Sequence, residues 1–184
     1  MKRTSATRAR PGNHGAGNER RGSPLRLALQ YAAPRGGLPA RSSVARWLVK
    51  ALGRDRGRVT VRFVGAAEGR RLNRTYRARD RATNVLTFTY GKARDGALTG
   101  DIVLCAPVIA REARAQRKPL RAHHAHLSVH GMLHLRGYDH ERPGEAARME
   151  AAERRILAQL GFADPYLARK RQDGKGKRFA PEGR

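Results

Sequence analysis

Residues 101–108 read "DIVLCAPV", and this run decides the fold. Ile102, Val103, Leu104 and Cys105 are apolar in succession, so neither side of the run belongs in water. A strand buried on both faces lies inside a sheet rather than at its edge. Working outward, three further runs alternate with period two and read as half-buried strands. "LRLALQY" does so through Leu25, Leu27, Leu29 and Tyr31, and "VTVRFV" through Val59, Val61 and Phe63. "TNVLTFTY" alternates through Leu86, Phe88 and Tyr90.

Between and after these strands the period changes to that of a helix. "SSVARWLVKALG" places Val44, Trp47, Leu48, Ala51 and Leu52 on one face, with a serine available as a cap and Gly53 as a stop. A short helix is expected over 66–77, with Leu72 and Tyr76 one turn apart. Two more are expected over 107–116 and 119–136, Pro119 being well placed to open the second. A last helix over 143–160 turns Ala146, Met149, Ala152, Ile156 and Leu160 inward. Strands and helices are mixed rather than strictly alternating. The expected fold is therefore α+β, a single domain with one small mixed sheet of about four strands packed by about five helices.

The ends of the chain differ from its middle. Residues 1–22 and 169–184 are polar and basic, with almost nothing to bury, and are expected to be disordered tails. That leaves 23–168 as the folded domain. The whole chain of 184 residues carries 40 Lys+Arg against 15 Asp+Glu, a formal charge of +25. Each tail accounts for about +5 of this, so the domain is basic in its own right. Such a field attracts polyanions, nucleic acid first among them. Arginine supplies 33 of the 40 cations, and a GC-rich genome would raise that number without any selection for RNA.

Cys105 is the only cysteine, so no internal disulfide is available, and it reads as a small core residue. A single cysteine without a secretory leader points to a reducing cytosol. No apolar run approaches the length of a membrane span, so the expectation is a soluble, cytoplasmic protein.

The chemistry is concentrated in "HGMLHLRGYDH", residues 130–140. His130 and His134 are four apart on the long helix, so both rings leave the same face. Gly137 can take the left-handed conformation that ends a helix, and the returning segment delivers His140. Three neutral imidazole nitrogens hold a zinc ion at about 2.0–2.1 Å and leave a fourth position open. A closed structural site would want a fourth protein ligand, usually cysteine, and Cys105 stands alone on a strand. The expectation is one zinc per chain at a catalytic site, on the long helix and the turn that follows it.

Peptidases of the H-E-x-x-H type carry their general base directly after the first histidine. Gly131 stands there instead, which argues against a metallopeptidase. Asp139, beside His140, either serves as a base or orients a histidine or caps the turn. His123, His124 and His126 lie upstream. His126 is on the stripe of His130 and either touches a ligand from behind or is an ordinary core or solvated residue.

With these residues assembled, "HGMLHLRGYDH", "GDIVLC", "LNRTYRARDRATNVLTF" and "LGFADPY" together resemble the bacterial YbeY-type endoribonucleases, the rRNA maturation factors. The likeness runs in order from residue 25 to residue 167. It implies a zinc-dependent, single-strand-specific endoribonuclease that matures the small-subunit rRNA 3′ end and takes part in ribosome quality control. It implies ribosomal RNA and the small ribosomal subunit as partners, with no membrane and no DNA. By the same resemblance His130, His134 and His140 are the zinc ligands, and Arg77 is the arginine facing the metal. That role suits a guanidinium, which can clamp two non-bridging oxygens as charge builds on a phosphodiester. Thr83 and Asn84 match as well, as shapers of the site rather than reagents. The basic tails have no counterpart in the family's motifs, and "FTY" replaces a frequent Ser-Phe-Pro pattern. A rival of another class is a ribosome assembly factor in which the metal only stabilises the fold. Oligomeric state is left open by the sequence.

Overall fold

The computed structural model describes residues 23–139 and 142–167. Both expected tails, 1–22 and 169–184, lie outside the described residues, and so does His140. The chain order is β1 (Leu25–Tyr31), α1 (Arg41–Leu52), β2 (Gly57–Val64), α2 (Ala66–Arg77), β3 (Val85–Lys92), β4 (Leu98–Cys105), α3 (Ala106–Ala115), α4 (Leu120–Leu135) and α5 (Pro143–Gln159). The four strands form one sheet in the order β1-β2-β4-β3. β1, β2 and β4 run parallel, and β3 is antiparallel to β4 at the edge. "DIVLC" thus forms the inner strand its composition requires. The fold is α+β with a mixed sheet and five helices.

The two sides of the sheet carry different loads. On one, Val59, Val61 and Phe63 of β2 and Ile102 and Leu104 of β4 meet Trp47 and Leu48 of α1, Met132 and Leu133 of α4, and Met149 and Leu157 of α5. Each side chain of this size removes roughly 1.5–3 kcal/mol of apolar surface from water, so this cluster dominates the stability. The other side holds a small cluster of Val64, Leu86, Val103, Cys105 and Val108, with Leu72 and Phe88 at its margin. Toward β1 that side is open, and Arg26, Gln30 and Arg58 are exposed there.

α4 is the helix that positions the site. After its first turn it is buried all round except at His126, His130 and His134. At its end Gly137 adopts φ +86, the Gly137 amide donates to the His134 carbonyl at 2.9 Å, and the Tyr138 amide donates to the Leu133 carbonyl at 3.0 Å. This is the glycine-terminated helix end expected from the sequence.

One local expectation changes. α1 begins at Arg41 with Ala40 before it, and no side chain caps its first turn. Ser42 and Ser43 lie within the helix, because the Val44 amide already bonds to the Ala40 carbonyl and Pro39 is tied back by the Tyr31 hydroxyl. Tyr76 does not join Leu72 against the core. It is 62% exposed, its ring resting on Phe88 of the edge strand.

Candidate metal centre

His123, His126, His130 and His134 follow one another along a single stripe of α4. The last two face each other, with Nε2 of His134 3.1 Å from Nε2 of His130 and ring centroids 4.6 Å apart. Behind them stands Glu153 of α5, fully buried. Its Oε1 lies 2.8 Å from His130 Nδ1 and its Oε2 3.3 Å from His126 Nε2, and the Tyr166 hydroxyl donates to Oε2 as well.

Burial alone would push the Glu153 carboxyl upward. The bonds from His126 and His130, the charge on His126 and the Tyr166 hydroxyl outweigh it and hold the carboxyl at about 2. At neutral pH the group is then a carboxylate and can only accept. Each atom facing it must carry the proton, so Nδ1 of His130 is the donor to Glu153. In a neutral ring that makes Nε2, the atom facing His134, the acceptor. This is the tautomer a metal-binding imidazole needs, fixed from behind by a buried carboxylate.

The donor set fits zinc. Two nitrogens bound tetrahedrally to one ion at 2.0–2.1 Å lie about 3.3 Å apart, close to the spacing here. Among the described residues no three His, Cys, Asp or Glu side chains converge in this way, the third candidate being His140. Two of the three proposed ligands are therefore brought together.

The glycine after the first histidine has a steric cause. A Cβ on Gly131 would sit 2.8 Å from Cγ2 of Ile102, a β4 residue with no exposed surface. α4 lies so close to the sheet that even a methyl group at that position would have to displace Ile102. A side chain as long as glutamate fits far less well, which weighs against the peptidase reading.

The surroundings of the stripe are structural. His123 Nε2 lies 2.9 Å from Glu112 Oε2, and the Asn84 amide donates to the same oxygen at 3.0 Å. Asn84 also accepts from the Val85 amide through its side chain and from the Cys105 amide through its carbonyl. It pins the start of β3 to β4 and α3. His124 is buried edge-on against Phe63, and burial followed by the charge of His123 depresses its pKa to about 4. Cys105 is buried, and burial raises its thiol.

Arg77 ends α2 and is exposed. Among the described residues no hydrogen bond or ion pair joins it to His130 or His134. Its loop is held firmly. Arg70 grips Asp80 through two bonds of 2.8 and 2.5 Å, and buried Asn73 donates to the Arg81 carbonyl at 2.6 Å.

Similarity to known proteins covers this same region. The family model described as Endoribonuclease YbeY matches residues 41–161, spanning both histidines, Arg77 and Glu153. The chain belongs to the endoribonuclease YbeY family. Among curated YbeY proteins it is 56% identical to that of Paraburkholderia phytofirmans over 147 residues, 77% of this chain and 95% of that one. It is 54% identical to that of Bordetella pertussis over 153 residues, 78% of this chain and 97% of that one. The solution structure of TM1509 from Thermotoga maritima matches at 20% identity and a TM-score of 0.46, over 86% of this chain and 99% of that chain.

Within this YbeY chain, Glu153 and Tyr166 are what sequence reasoning missed. The "ADPY" segment folds back so that Tyr166 reaches Glu153. Lys118 Nζ holds the Pro165 carbonyl at 2.5 Å, and Arg154 lies over the Tyr166 ring.

Proposed function

We propose that this chain is a zinc-dependent, single-strand-specific endoribonuclease of the cytoplasm. Its substrate in this reading is the 3′ end of small-subunit ribosomal RNA, with a further part in ribosome quality control. The observation that carries the proposal is the facing pair of His130 and His134, with Glu153 fixing the first in its metal-binding tautomer. Family membership supports RNA as the class of substrate.

His130 and His134 would hold one zinc through Nε2, with His140 as the third ligand. Zinc held there supplies Lewis-acid polarisation of a phosphoryl oxygen and makes water acidic enough to react near pH 7. Glu153 keeps the proton of His130 on Nδ1 and resists rotation of the ring. Arg77, exposed at the end of α2, stabilises the negative charge that develops on the non-bridging oxygens. The arginine-rich surface holds the phosphate backbone, so affinity falls as salt rises.

The experiment is to incubate protein of measured zinc content with a single-stranded RNA and with a duplex of the same sequence. The expected result is cleavage of the single strand alone, abolished by a chelator and restored by zinc. Protein that holds one zinc yet cuts neither would turn the reading to a non-catalytic assembly factor.

A further inference from the structure

A chain with only 5% aromatic residues leaves two tyrosines in water. Tyr76 is 62% and Tyr90 63% exposed, the two most exposed of the large apolar side chains among the described residues. Phe88 stands between them. Its ring meets that of Tyr76 edge to face at 4.9 Å between centroids. Tyr90 follows two residues later on β3, and its hydroxyl donates at 2.9 Å to Oδ2 of Asp101, the register partner of Phe88. All three rings therefore lie on one side of the edge strand. A bulge between Thr89 and Lys92, with Gly91 at φ +79, sets the strand's course just past them. These rings are held in place without being buried, so their ordering cost is already met before any ligand arrives.

The charge around them is one-sided. Arg74, Arg77, Arg79 and Arg81 are all exposed, and none forms an ion pair among the described residues. Two of the nearby carboxylates are already engaged. Asp80 is paired with Arg70 and Glu68 with Arg62, while Asp101 keeps its charge beneath the Tyr90 hydroxyl and is outnumbered by the four arginines. An anionic partner with flat apolar groups complements this surface in both respects. Aromatic faces flanked by arginines are the pattern by which unpaired bases are stacked while the backbone is neutralised. Paired bases keep their faces inside the helix and cannot use it.

We propose that Tyr76, Phe88 and Tyr90 form a base-stacking surface for single-stranded RNA, with the arginines of residues 74–81 on its phosphates. The inference rests on the endoribonuclease reading and deepens it. It places the substrate strand along β3 and the end of α2, leading to Arg77. It also gives a physical source for a preference for unpaired RNA.

The test uses a 2′-O-methyl RNA of about twelve nucleotides carrying 2-aminopurine, long enough for a site of this kind. Binding is read by anisotropy, and stacking by quenching of the 2-aminopurine. Tyr76→Leu and Tyr90→Leu should each weaken binding by about five- to a hundredfold and lose the quenching. Tyr76→Phe, which keeps the ring and loses only the hydroxyl, should bind and quench as the wild type does. Tyr90→Phe, which also loses the bond to Asp101, should keep the quenching with a smaller loss of affinity than Tyr90→Leu. All four should stay folded at the assay temperature and keep the wild-type zinc content. Undiminished binding by the double leucine variant overturns the proposal, and so does equal affinity of the wild type for a duplex. Binding and cleavage fail separately. A wild type that stacks this strand through the two rings but leaves ordinary RNA uncut supports the surface and sinks the nuclease reading. One that cuts RNA equally well with both rings removed keeps the nuclease and sinks the surface.

Discussion

Glu153 Oε1 lies 2.8 Å from His130 Nδ1, and the carboxylate receives the Tyr166 hydroxyl from its other side. One buried acid on α5 thus sets the proton position of a histidine on α4. The two helices are joined at the point where the metal is expected.

Glu153→Gln removes the charge while keeping the shape. His130 then loses its strongest reason to keep a proton on Nδ1. The expected outcome is a loss of about 10- to 100-fold in zinc affinity, read by competition with a chromophoric chelator. Tyr166→Phe should move affinity in the same direction by less. Unchanged affinity in both would leave Glu153 as packing alone.

Gly131→Ala sets two effects against each other. Alanine favours a helix over glycine by about 1 kcal/mol, but the added Cβ meets Ile102 at 2.8 Å in a closed core. Overpacking of this kind costs about 1–3 kcal/mol, so a net loss of roughly 1 kcal/mol is expected in denaturant unfolding. Ile102→Ala, which removes Cγ2, should couple favourably with Gly131→Ala by about 0.5 kcal/mol or more in a double-mutant cycle. Gly131→Glu should be far more damaging and should yield no peptidase activity.

His124 makes stability depend on pH. Its folded pKa of about 4 lies below the unfolded value of 6.5, because burial and His123 disfavour its charge. The neutral ring's contribution is whole above pH 6.5 and is lost as pH falls from 6.5 toward 4. A shift from 6.5 to about 4 corresponds to roughly 3 kcal/mol. His124→Leu should therefore flatten the fall in unfolding free energy between pH 7 and pH 4.5 relative to wild type. Parallel curves for the two proteins would refute the assignment.

Asn84 is bonded as a structural residue, to Glu112, Val85 and Cys105. Asn84→Ala removes a donor to Glu112 and an acceptor for the Val85 amide, at an expected loss of about 1–3 kcal/mol. Well below the melting temperature, kcat on RNA should match the wild type. A drop in kcat with stability intact would assign Asn84 a part in the reaction.

The histidine spacing was legible because i and i+4 on a helix leave no choice of face, and Gly137 announces its own conformation. The sheet was legible from "DIVLC", since a run apolar on both faces has one place to go. Glu153 was harder. It lies 19 positions after His134 in a helix read for its apolar stripe, where Met149, Ala152, Ile156 and Leu157 are buried around it. The available signal was a carboxylate at a core position, which demands partners. The exposure of Tyr76 was not legible, because i, i+4 spacing from Leu72 says which face they share, not how far the neighbouring sheet extends. α2 overhangs the sheet edge at its C-terminal end, so that face meets Phe88 and then solvent. The reason for Gly131 lay in the distance between α4 and β4, which no local pattern encodes.

The most direct test of the central claim is cleavage of a small-subunit rRNA 3′-end fragment by wild type, Arg77→Ala and His134→Ala, each shown to be folded and its zinc counted. The wild type is expected to cut, Arg77→Ala to keep its zinc and not cut, and His134→Ala to lose both. Cleavage by His134→Ala at the wild-type rate without zinc would contradict this.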